Sequence, residues 1–423
     1  MRKIFSLFLT LSLLFLTACN TPPKTSSNSD NQEQPTGAFN PEDVIVANST
    51  YNKFIDLPSR IIFYAQNALG QWYNMYYSKA DGNVYLYCFD PFCDHSGGEC
   101  LANPSDLYDQ QNLLKDRIDI DTIRFINGRF YAVAYNSGRI LSFNFDGIDV
   151  QLEYDGDYPI EAIHSNGAWM PKVMSYGPYL YIDHRAETSE DGKKHILRFN
   201  TETKEMEDLT EQTGRYAWPS FFYNGEMYAQ TETGDPVKAS PDLTVYEETV
   251  PLKTFYHFYG SSFIYSMYDD DYNPLGIGIY DMATGEDKKV SNEKFGFSEK
   301  GISIIEMDEK YIYFVDAEEV VAGYKLHPKT GKKYAVTKND GKLYRMDHDG
   351  TNIVCIYDDP SIGFSYYDAI VFDGNTIIIN ATKYRSVEGD TEGLVETYAG
   401  GYYVGKFGED GMVEELKPIE FVG

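Results

Sequence analysis

The stretch Thr122-Ile-Arg-Phe-Ile-Asn-Gly-Arg-Phe-Tyr-Ala-Val133 decides the fold class of this chain. Two runs of apolar and aromatic residues flank Asn127-Gly128, and Asn-Gly between such runs is the strongest short-range signal for a β-hairpin. Similar hairpin patterns recur at Val173 to Ile182, Phe221 to Ala229, Phe255 to Tyr268, Ile302 to Val315 and Ala369 to Asn380. The sequence therefore predicts a series of antiparallel hairpins.

A second hairpin pattern accompanies the first: an apolar and aromatic strand, a polar turn with Asp or Gly, and a strand with acidic residues. Its copies begin at Ile140, Ile196, Ile277, Leu343 and Tyr402, and another runs from Met75 to Tyr87. The first-hairpin turns are 49 residues apart between Asn127 and Tyr176, and 48 apart between Tyr176 and Asn224. Two hairpins at this spacing are typical of a four-stranded propeller blade.

The repeats predict an all-β fold, a β-propeller with seven four-stranded blades in one domain over residues 44–423. The units are approximately 50–100, 118–155, 168–211, 217–250, 254–292, 302–358 and 366–420. Six or eight blades are alternatives, because the first unit has no obvious first hairpin. Either Val44 to Asn48 or Glu414 to Val422 is a candidate for a strand that crosses over to close the ring.

The N-terminus has the pattern of an export signal. Met1-Arg2-Lys3 precedes an apolar run from Ile4 to Leu16, which is too short for a permanent membrane span. Leu16-Thr17-Ala18-Cys19 resembles a bacterial lipobox, so residues 1–18 are predicted to be a lipoprotein signal peptide and Cys19 the lipidated residue. A plain secreted protein is the alternative. Residues 19–43 then form the lipidated Cys and a flexible polar tether.

These features predict a location at the extracytoplasmic face of the cell membrane, with membrane contact through the N-terminal lipid only. The formal net charge is −29, and it becomes −31 when the signal peptide, with Arg2 and Lys3, is removed. This acidity disfavours nucleic acid and a bare anionic membrane as partners. The expected partners are an envelope protein, a peptide or a glycan, and the expected state is a monomer.

Four potential metal ligands lie within thirteen positions: Cys88, Cys93, His95 and Cys100. The residues between them include Pro91, Gly97 and Gly98, which favour a tight loop. Three thiols and one imidazole are the ligand set of a closed structural zinc site, although the spacing is unusual for one. Zinc is therefore the predicted cofactor, in a structural role.

A local disulfide with one free thiol is the main alternative to zinc, since disulfides form outside the cytoplasm. A redox role or another metal is also open. Cys355 is a remote possible partner, but it alternates with Ile353 and Tyr357 in a predicted strand and is expected to be a small buried hydrophobe.

Other motifs give weaker evidence for a binding or catalytic site. The runs Asp269-Asp270-Asp271 and Asp347-His348-Asp349-Gly350 could suggest calcium, but Asp and Gly are also what hairpin turns require. Histidines such as His184, His195 and His257 have no partner nearby in the sequence, and no linear catalytic motif is found. Trp72, Trp169 and Trp218 are candidate contact residues, or core residues.

Two resemblances follow from these residues. Leu343-Tyr-Arg-Met-Asp-His-Asp-Gly-Thr-Asn-Ile-Val-Cys-Ile-Tyr357 resembles blades of low-density-lipoprotein-receptor-type propellers, although their Tyr-Trp-Thr-Asp tetrad is missing. The lipobox, polar tether, tyrosine-rich blades and Cys88 to Cys100 segment together are similar to clostridial-type surface lipoproteins with a propeller domain of unknown function. This resemblance covers nearly the whole chain and implies a cell-surface propeller without an assigned activity.

The leading hypothesis is a lipid-anchored propeller that acts as a binding module without catalysis. The first alternative is a propeller hydrolase or lyase acting on glycan or peptide, whose acids and bases come from separate blades and leave no linear motif. The second is a metal-binding or metal-sensing surface protein that uses the Cys88 to Cys100 loop.

Overall fold

The structure is a computed structural model, and it describes most of the chain from Phe54 onward. The described residues are 54–66, 72–88, 92–93, 100, 102, 122–134, 138–144, 149–156, 173–184, 193–233, 235–247, 255–269, 271, 273–295 and 301–419. Seven four-stranded antiparallel sheets follow one another along these residues and form a seven-bladed β-propeller.

The first four blades each consist of four consecutive strands. Blade one contains β1 (Phe54–Leu57), β2 (Arg60–Gln66), β3 (Trp72–Ser78) and β4 (Val84–Leu86). Blade two contains β5 (Ile123–Ile126), β6 (Arg129–Val133), β7 (Ile140–Phe143) and β8 (Gln151–Tyr154). Blade three contains β9 (Val173–Tyr176), β10 (Tyr179–His184), β11 (His195–Asn200) and β12 (Met206–Asp208). Blade four contains β13 (Trp218–Tyr223), β14 (Glu226–Gln230), β15 (Pro236–Ala239) and β16 (Tyr246–Glu247).

The last three blades include one insertion. Blade five contains β17 (Phe255–Tyr259), β18 (Ser262–Tyr268), β19 (Pro274–Asp281) and β20 (Glu286–Ser291). Blade six contains β21 (Ile302–Met307), β22 (Tyr311–Asp316), β25 (Lys342–Asp347) and β26 (Val354–Asp358), and the hairpin β23 (Val320–Leu326) and β24 (Lys333–Lys338) is inserted between its second and third strands. Blade seven contains β27 (Ile362–Phe372), β28 (Thr376–Ser386), β29 (Val395–Phe407) and β30 (Val413–Pro418).

The predicted hairpin turns are found where the sequence placed them. Ile126 pairs with Arg129 across Asn127-Gly128, and these two turn residues have φ values of 49° and 80°. Positive φ at both positions matches the twist of the flanking strands, and Asn and Gly tolerate it better than other residues. The prediction of seven four-stranded blades is confirmed, and the alternatives of six or eight are wrong.

Two finer expectations at the ends of the ring need correction. The first blade does have a first hairpin, since Leu57 pairs with Arg60 across Pro58-Ser59. The crossover expected of Glu414 to Val422 is wrong for its described part, because β30 pairs with β29 in its own blade. The other candidate, Val44 to Asn48, lies outside the described residues.

The hydrophobic core is divided among the interfaces between neighbouring blades. Apolar side chains of each described blade pack against those of the next, and one such cluster joins blade seven to blade one. In that cluster the Tyr402 ring lies 5.5 Å from the Phe54 ring and 5.3 Å from the Phe63 ring between centroids. Side-chain packing therefore connects the first and last blades.

Strand direction alternates within a blade, so the ring has two different faces. The turns from first to second and from third to fourth strand lie at one end, which we call the turn face. The loops from second to third strand and the connections between blades lie at the other, which we call the connector face. The chain enters β1 at Phe54 on the connector face.

Helix is confined to two short segments of the described chain, α1 (Leu209–Thr213) and α2 (Asn292–Phe295). Asp208 caps α1 by accepting a hydrogen bond from the Glu211 backbone N–H, at 2.8 Å. Among the described residues, none of the helices has the length and apolar character needed to cross a bilayer.

Candidate functional site

The cysteine segment leaves and rejoins the first blade at a single residue of β3. The Tyr87 N–H donates to the Asn74 carbonyl at 2.9 Å, just before Cys88. The Asn74 N–H donates in turn to the Ala102 carbonyl at 2.8 Å, just after the segment ends. Both ends of the segment are thus tied to one position, at the connector face.

Three thiols converge in this closed segment. The Sγ atoms of Cys88, Cys93 and Cys100 all lie within 4.8 Å of one another. Cys100 is buried, while Cys88 and Cys93 are partly exposed. His95, the fourth predicted ligand, lies outside the described residues.

The Cys100 environment favours a neutral thiol in the absence of a cation. Burial raises the pKa of the Cys100 thiol far above its ordinary value, and the hydrogen bond with the Cys93 thiol raises it further. A bound metal ion supplies the positive charge that allows such thiols to ionise. The cluster is therefore suited to a metal, which would displace protons on binding.

The geometry is compatible with two kinds of cross-link. A tetrahedral zinc site with Zn–S distances of about 2.3 Å separates its sulfurs by about 3.8 Å, which lies within the spread of these three atoms. A disulfide instead requires two of the sulfurs to approach to about 2.05 Å. No disulfide joins any two of the four described cysteines.

Cys355 belongs to a different part of the ring. It lies in β26 of blade six, and its thiol donates to the Tyr357 carbonyl at 3.3 Å. The residue is partly exposed, so the expectation of a buried hydrophobe is only approximately met.

The acidic runs considered for calcium serve the turns in which they lie. Asp269 accepts hydrogen bonds from the Asp271 and Asn273 N–H groups, at 2.9 and 2.8 Å. Asp349 accepts from the Thr351 N–H at 2.9 Å. These bonds are the ordinary use of Asp in tight turns.

A histidine and aspartate pair on blade three was not predicted from the sequence. The register of β10 and β11 places His184 opposite His195, and the His195 Nδ1 atom lies 2.7 Å from the Asp208 Oδ2 atom. Asp208 comes thirteen residues after His195. The signal available in the sequence was the hairpin alignment, which brings the start of the third strand near the end of the fourth.

Titratable residues also occupy equivalent positions on the innermost strands of blades two, five and six. Arg124 pairs with Tyr131, His257 with Ile264 and Glu306 with Tyr313. Each of these three residues lies two positions before the last residue that pairs across the turn. In blade six the last pair before the turn is Asp308 with Tyr311, since the Asp308 N–H donates to the Tyr311 carbonyl at 3.0 Å. These are the strands nearest to the ring axis, so a catalytic set built from separate blades would be sought here.

Two of these residues connect neighbouring blades. The Arg124 guanidinium donates to the Val173 carbonyl of blade three. His257 donates to the Ile304 carbonyl of blade six, and burial, which outweighs this hydrogen bond, lowers the pKa of His257 to about 4. Val173 and Ile304 are themselves equivalent positions, so the same interblade clamp occurs twice.

Glu306 lies in the same row of residues. Burial raises the pKa of its carboxyl to about 8, although its Oε1 atom accepts the Met307 N–H at 2.8 Å. The described tryptophan side chain, that of Trp218, is only 4% exposed and belongs to the core shared by blades three to five. Trp218 is thus a packing residue, whereas the side chains of Trp72 and Trp169 are not among those that the structure describes.

Comparison with known proteins yields distant structural similarities. No family model matches the chain, and no curated protein matches it. The propeller domain of the Trilobed protease from Pyrococcus furiosus is 10% identical, with 89% of this chain and 96% of that chain covered and a TM-score of 0.43. YCF48 from Cyanidioschyzon merolae is 10% identical over 81% of this chain and 94% of that chain, with a TM-score of 0.40. TolB from Acinetobacter baumannii is 12% identical over 86% and 80%, with a TM-score of 0.29. Similarity at this level does not indicate a ligand or an activity for this chain.

Proposed function

We propose that this chain is a lipid-anchored extracytoplasmic propeller that binds an envelope protein, peptide or glycan and performs no catalysis. The observation that supports it is the use of the inner-strand residues. Arg124 and His257, which occupy the positions where a propeller enzyme could gather its reactive groups, are hydrogen-bonded to the backbone of the next blade. Residues committed to holding blades together favour a rigid scaffold over a reaction centre.

The location is supported by sequence features. The lipobox ending at Cys19 predicts diacylation, and two acyl chains suffice for stable anchoring. The likeness to clostridial-type surface lipoproteins rests on the lipobox, the polar tether, the tyrosine-rich blades and the Cys88 to Cys100 segment. Mass spectrometry of the N-terminus of protein expressed in a bacterial host with lipoprotein processing tests this part. We expect an acylated Cys19, and a Cys19→Ala variant should leave the membrane fraction.

Binding is tested with the mature chain immobilised and exposed to envelope extract separated into protein and glycan fractions. A saturable partner competed by free propeller is expected. A heat-denatured sample of the same chain is the control for retention by its acidic surface. No specific partner in any fraction would contradict the proposal.

We further propose that Cys88, Cys93 and Cys100, with His95 as the fourth ligand, hold a structural zinc ion. Convergence of three Sγ atoms in a segment with both ends tied to Asn74 is the observation that supports it. Such a site would fix a small loop that has no core of its own.

Metal analysis of purified chain tests the zinc site. About one zinc per chain is expected, with loss in Cys93→Ser and retention in the control Cys355→Ser. A local disulfide would instead be established if the chain held no zinc, had a mass two hydrogens lower than the fully reduced chain, and had one reactive thiol among these three cysteines. Zinc that exchanges readily with a weak chelator would favour the metal-sensing alternative.

The hydrolase or lyase alternative has one observation in its favour, the 2.7 Å contact between His195 and Asp208 on the connector face. A carboxylate that orients an imidazole is a common arrangement for a general base. Turnover of envelope glycan or peptide that disappears in His195→Gln, with the fold intact, would support this alternative over the binding module.

A further inference from the structure

The inserted hairpin, β23 and β24 with the turn between them, carries charge opposite to that of the chain. Residues 320–338 contain five lysines and no Asp or Glu, whereas the whole chain has a formal charge of −29. The lysines are Lys325, Lys329, Lys332, Lys333 and Lys338. Acidic residues already provide solubility in this protein, so a concentrated basic segment indicates a contact with an anionic surface.

The inserted hairpin is held firmly against blade seven. The Tyr324 N–H donates to the Gly393 carbonyl at 3.0 Å, beside a close approach in which a Cβ atom at Gly323 would lie 2.3 Å from Val395 Cγ1. At its base, the Asn339 side-chain amide donates to the Phe364 carbonyl at 2.9 Å and accepts from the Phe364 N–H at 3.1 Å. It is therefore a fixed projection of the ring.

Two neighbouring carboxylates of blade seven already have cationic partners. Glu392 lies 3.9 Å from Lys333, and Glu396 lies 2.6 Å from Arg385. At the tip, Lys329 and Lys332 are exposed and have no ion-pair partner among the residues that the structure describes. The tip is where the positive charge faces outward.

Exposed apolar side chains accompany the lysines. Val321, Leu326 and Tyr334 are 56%, 52% and 46% exposed. Lysines interleaved with aliphatic and aromatic side chains are the composition of segments that lie in a membrane interface. Further exposed hydrophobic residues lie on the connector face of blades one, five and seven: Phe92, Tyr268, Leu275 and Tyr398.

The chain itself enters the ring on this face. Phe54, at the start of β1, is 35 residues after the predicted lipidated Cys19. A flexible tether over residues 19–43, as the sequence predicts, has an r.m.s. span of about 25–30 Å, which holds the connector face near the bilayer. Tethering raises the effective concentration of the hairpin at the membrane, so a weak patch is sufficient.

We infer that the inserted hairpin docks on an anionic lipid bilayer and directs the connector face toward the membrane. The inference rests on the proposed membrane anchorage for its effective concentration, but the hairpin's affinity for lipid can be measured without it. It adds a second membrane contact to the lipid expected at Cys19. The turn face is then directed away from the membrane, toward partners in the envelope.

The lipid affinity is tested with the chain from residue 19 onward carrying Cys19→Ser, so that no acyl chain contributes. We expect it to float with vesicles containing phosphatidylglycerol, not with pure phosphatidylcholine, and to be released by high salt. Lys329→Glu with Lys332→Glu should weaken binding at least about tenfold, because each lysine at such a surface contributes about fivefold. Lys288→Glu with Lys289→Glu on β20, an equal change of charge on two other exposed lysines, is the control and should weaken binding less.

Equal weakening in the two double variants, or equal binding to neutral and anionic vesicles, would overturn the inference. So would tight binding to a soluble anionic polysaccharide without vesicle binding, which would assign the hairpin to a glycan. If the unacylated chain binds anionic vesicles but the native chain carries no lipid, the anchorage fails and the hairpin's lipid affinity stands.

Orientation is tested with the acylated chain on vesicles containing brominated lipid. The fluorescence of Tyr334→Trp on the hairpin should be quenched, and that of Tyr259→Trp on the turn face should not. Tyr259 is a matched control because it is 43% exposed. Equal quenching of the two variants, or none in either, would overturn the proposed orientation.

Discussion

Glu306 couples the stability of the propeller to pH at the scale of a single residue. Burial raises the pKa of its carboxyl from the ordinary 4.5 to about 8, so between these values the folded chain holds a proton that the unfolded chain has lost. The free energy of unfolding therefore falls as pH rises through this window. We expect Glu306→Gln to stabilise the chain by on the order of 2 kcal/mol at pH 8.5, and by little at pH 4. Glutamine keeps an oxygen that can accept the Met307 N–H.

Urea unfolding at several pH values measures this effect. Glu309→Gln, in the neighbouring exposed turn, is the control and should leave the pH profile unchanged. His257 contributes with the opposite sign, because its pKa is lowered to about 4 and stability falls as pH decreases from about 6.5 toward that value. The assignment to Glu306 would be contradicted if the free energies of unfolding of Glu306→Gln and of the original chain changed in parallel from pH 4 to 8.5.

Single residues were predictable where the sequence places them close together. The thiols of Cys88, Cys93 and Cys100 lie close together in the structure, whereas the zinc site formed by these thiols with His95 stays a prediction. The Arg124 and His257 clamps could not be read from the sequence, because their partners are carbonyl groups on the next blade. A backbone acceptor leaves no residue type to recognise, and only the register of two strands identifies it.

At the scale of elements, the inserted hairpin should be separable from the ring. The register of β22 and β25 places Phe314 opposite Tyr344, so Asp316 lies opposite Lys342 by continuation. Replacing residues 317–341 by Asn-Gly therefore gives an ordinary two-residue hairpin. We expect a folded seven-bladed ring, because residues 320–338 supply no side chain to the hydrophobic clusters between the described blades, with a lower melting temperature because the deletion removes the two Asn339 hydrogen bonds to Phe364.

Circular dichroism and thermal unfolding check this variant, and the same deletion should abolish binding to anionic vesicles. An alternative replacement with Gly-Ser-Gly-Ser serves as the control for strain in the turn. Loss of cooperative unfolding in both versions would show that the hairpin is part of the core of blade six.

Elements were predictable to the extent that their turns were chemically distinctive. Asn127-Gly128 and Asn224-Gly225 adopt the positive φ values that these residues tolerate, and the hairpins around them were found correctly. The sequence does not predict the first hairpin of blade one, because its turn residues, Pro58-Ser59, also occur in many loops. The hairpin β23 and β24 was included in the sixth unit without being separated, since an inserted hairpin has the same alternation as a blade strand.

At the scale of the whole molecule, the described ring closes through side-chain contacts, without a strand shared between its first and last blades. Blade one and blade seven are each built from four consecutive strands, so neither contributes a strand to the other. Their junction consists of a shared hydrophobic cluster and of Lys79, whose Nζ atom lies 2.9 Å from Asp56 and 3.2 Å from Asp373. Burial raises the pKa of Asp56, even though Lys79 opposes the shift. This junction differs from the six others because no chain segment connects its two blades.

The ring should therefore open first between blades one and seven. Tyr402 is 6% exposed and packs against Phe54 and Phe63 across this junction, so Tyr402→Ala should lower the free energy of unfolding by about 3 kcal/mol. Hydrogen exchange should increase first in β1, β2, β27 and β28, at denaturant concentrations where the other blades remain protected. Phe199→Ala, which removes a fully buried ring between blades two and three, is the control and should destabilise the chain similarly without this local opening. Uniform loss of protection around the ring in Tyr402→Ala would show that the closing junction is no weaker than the connected ones.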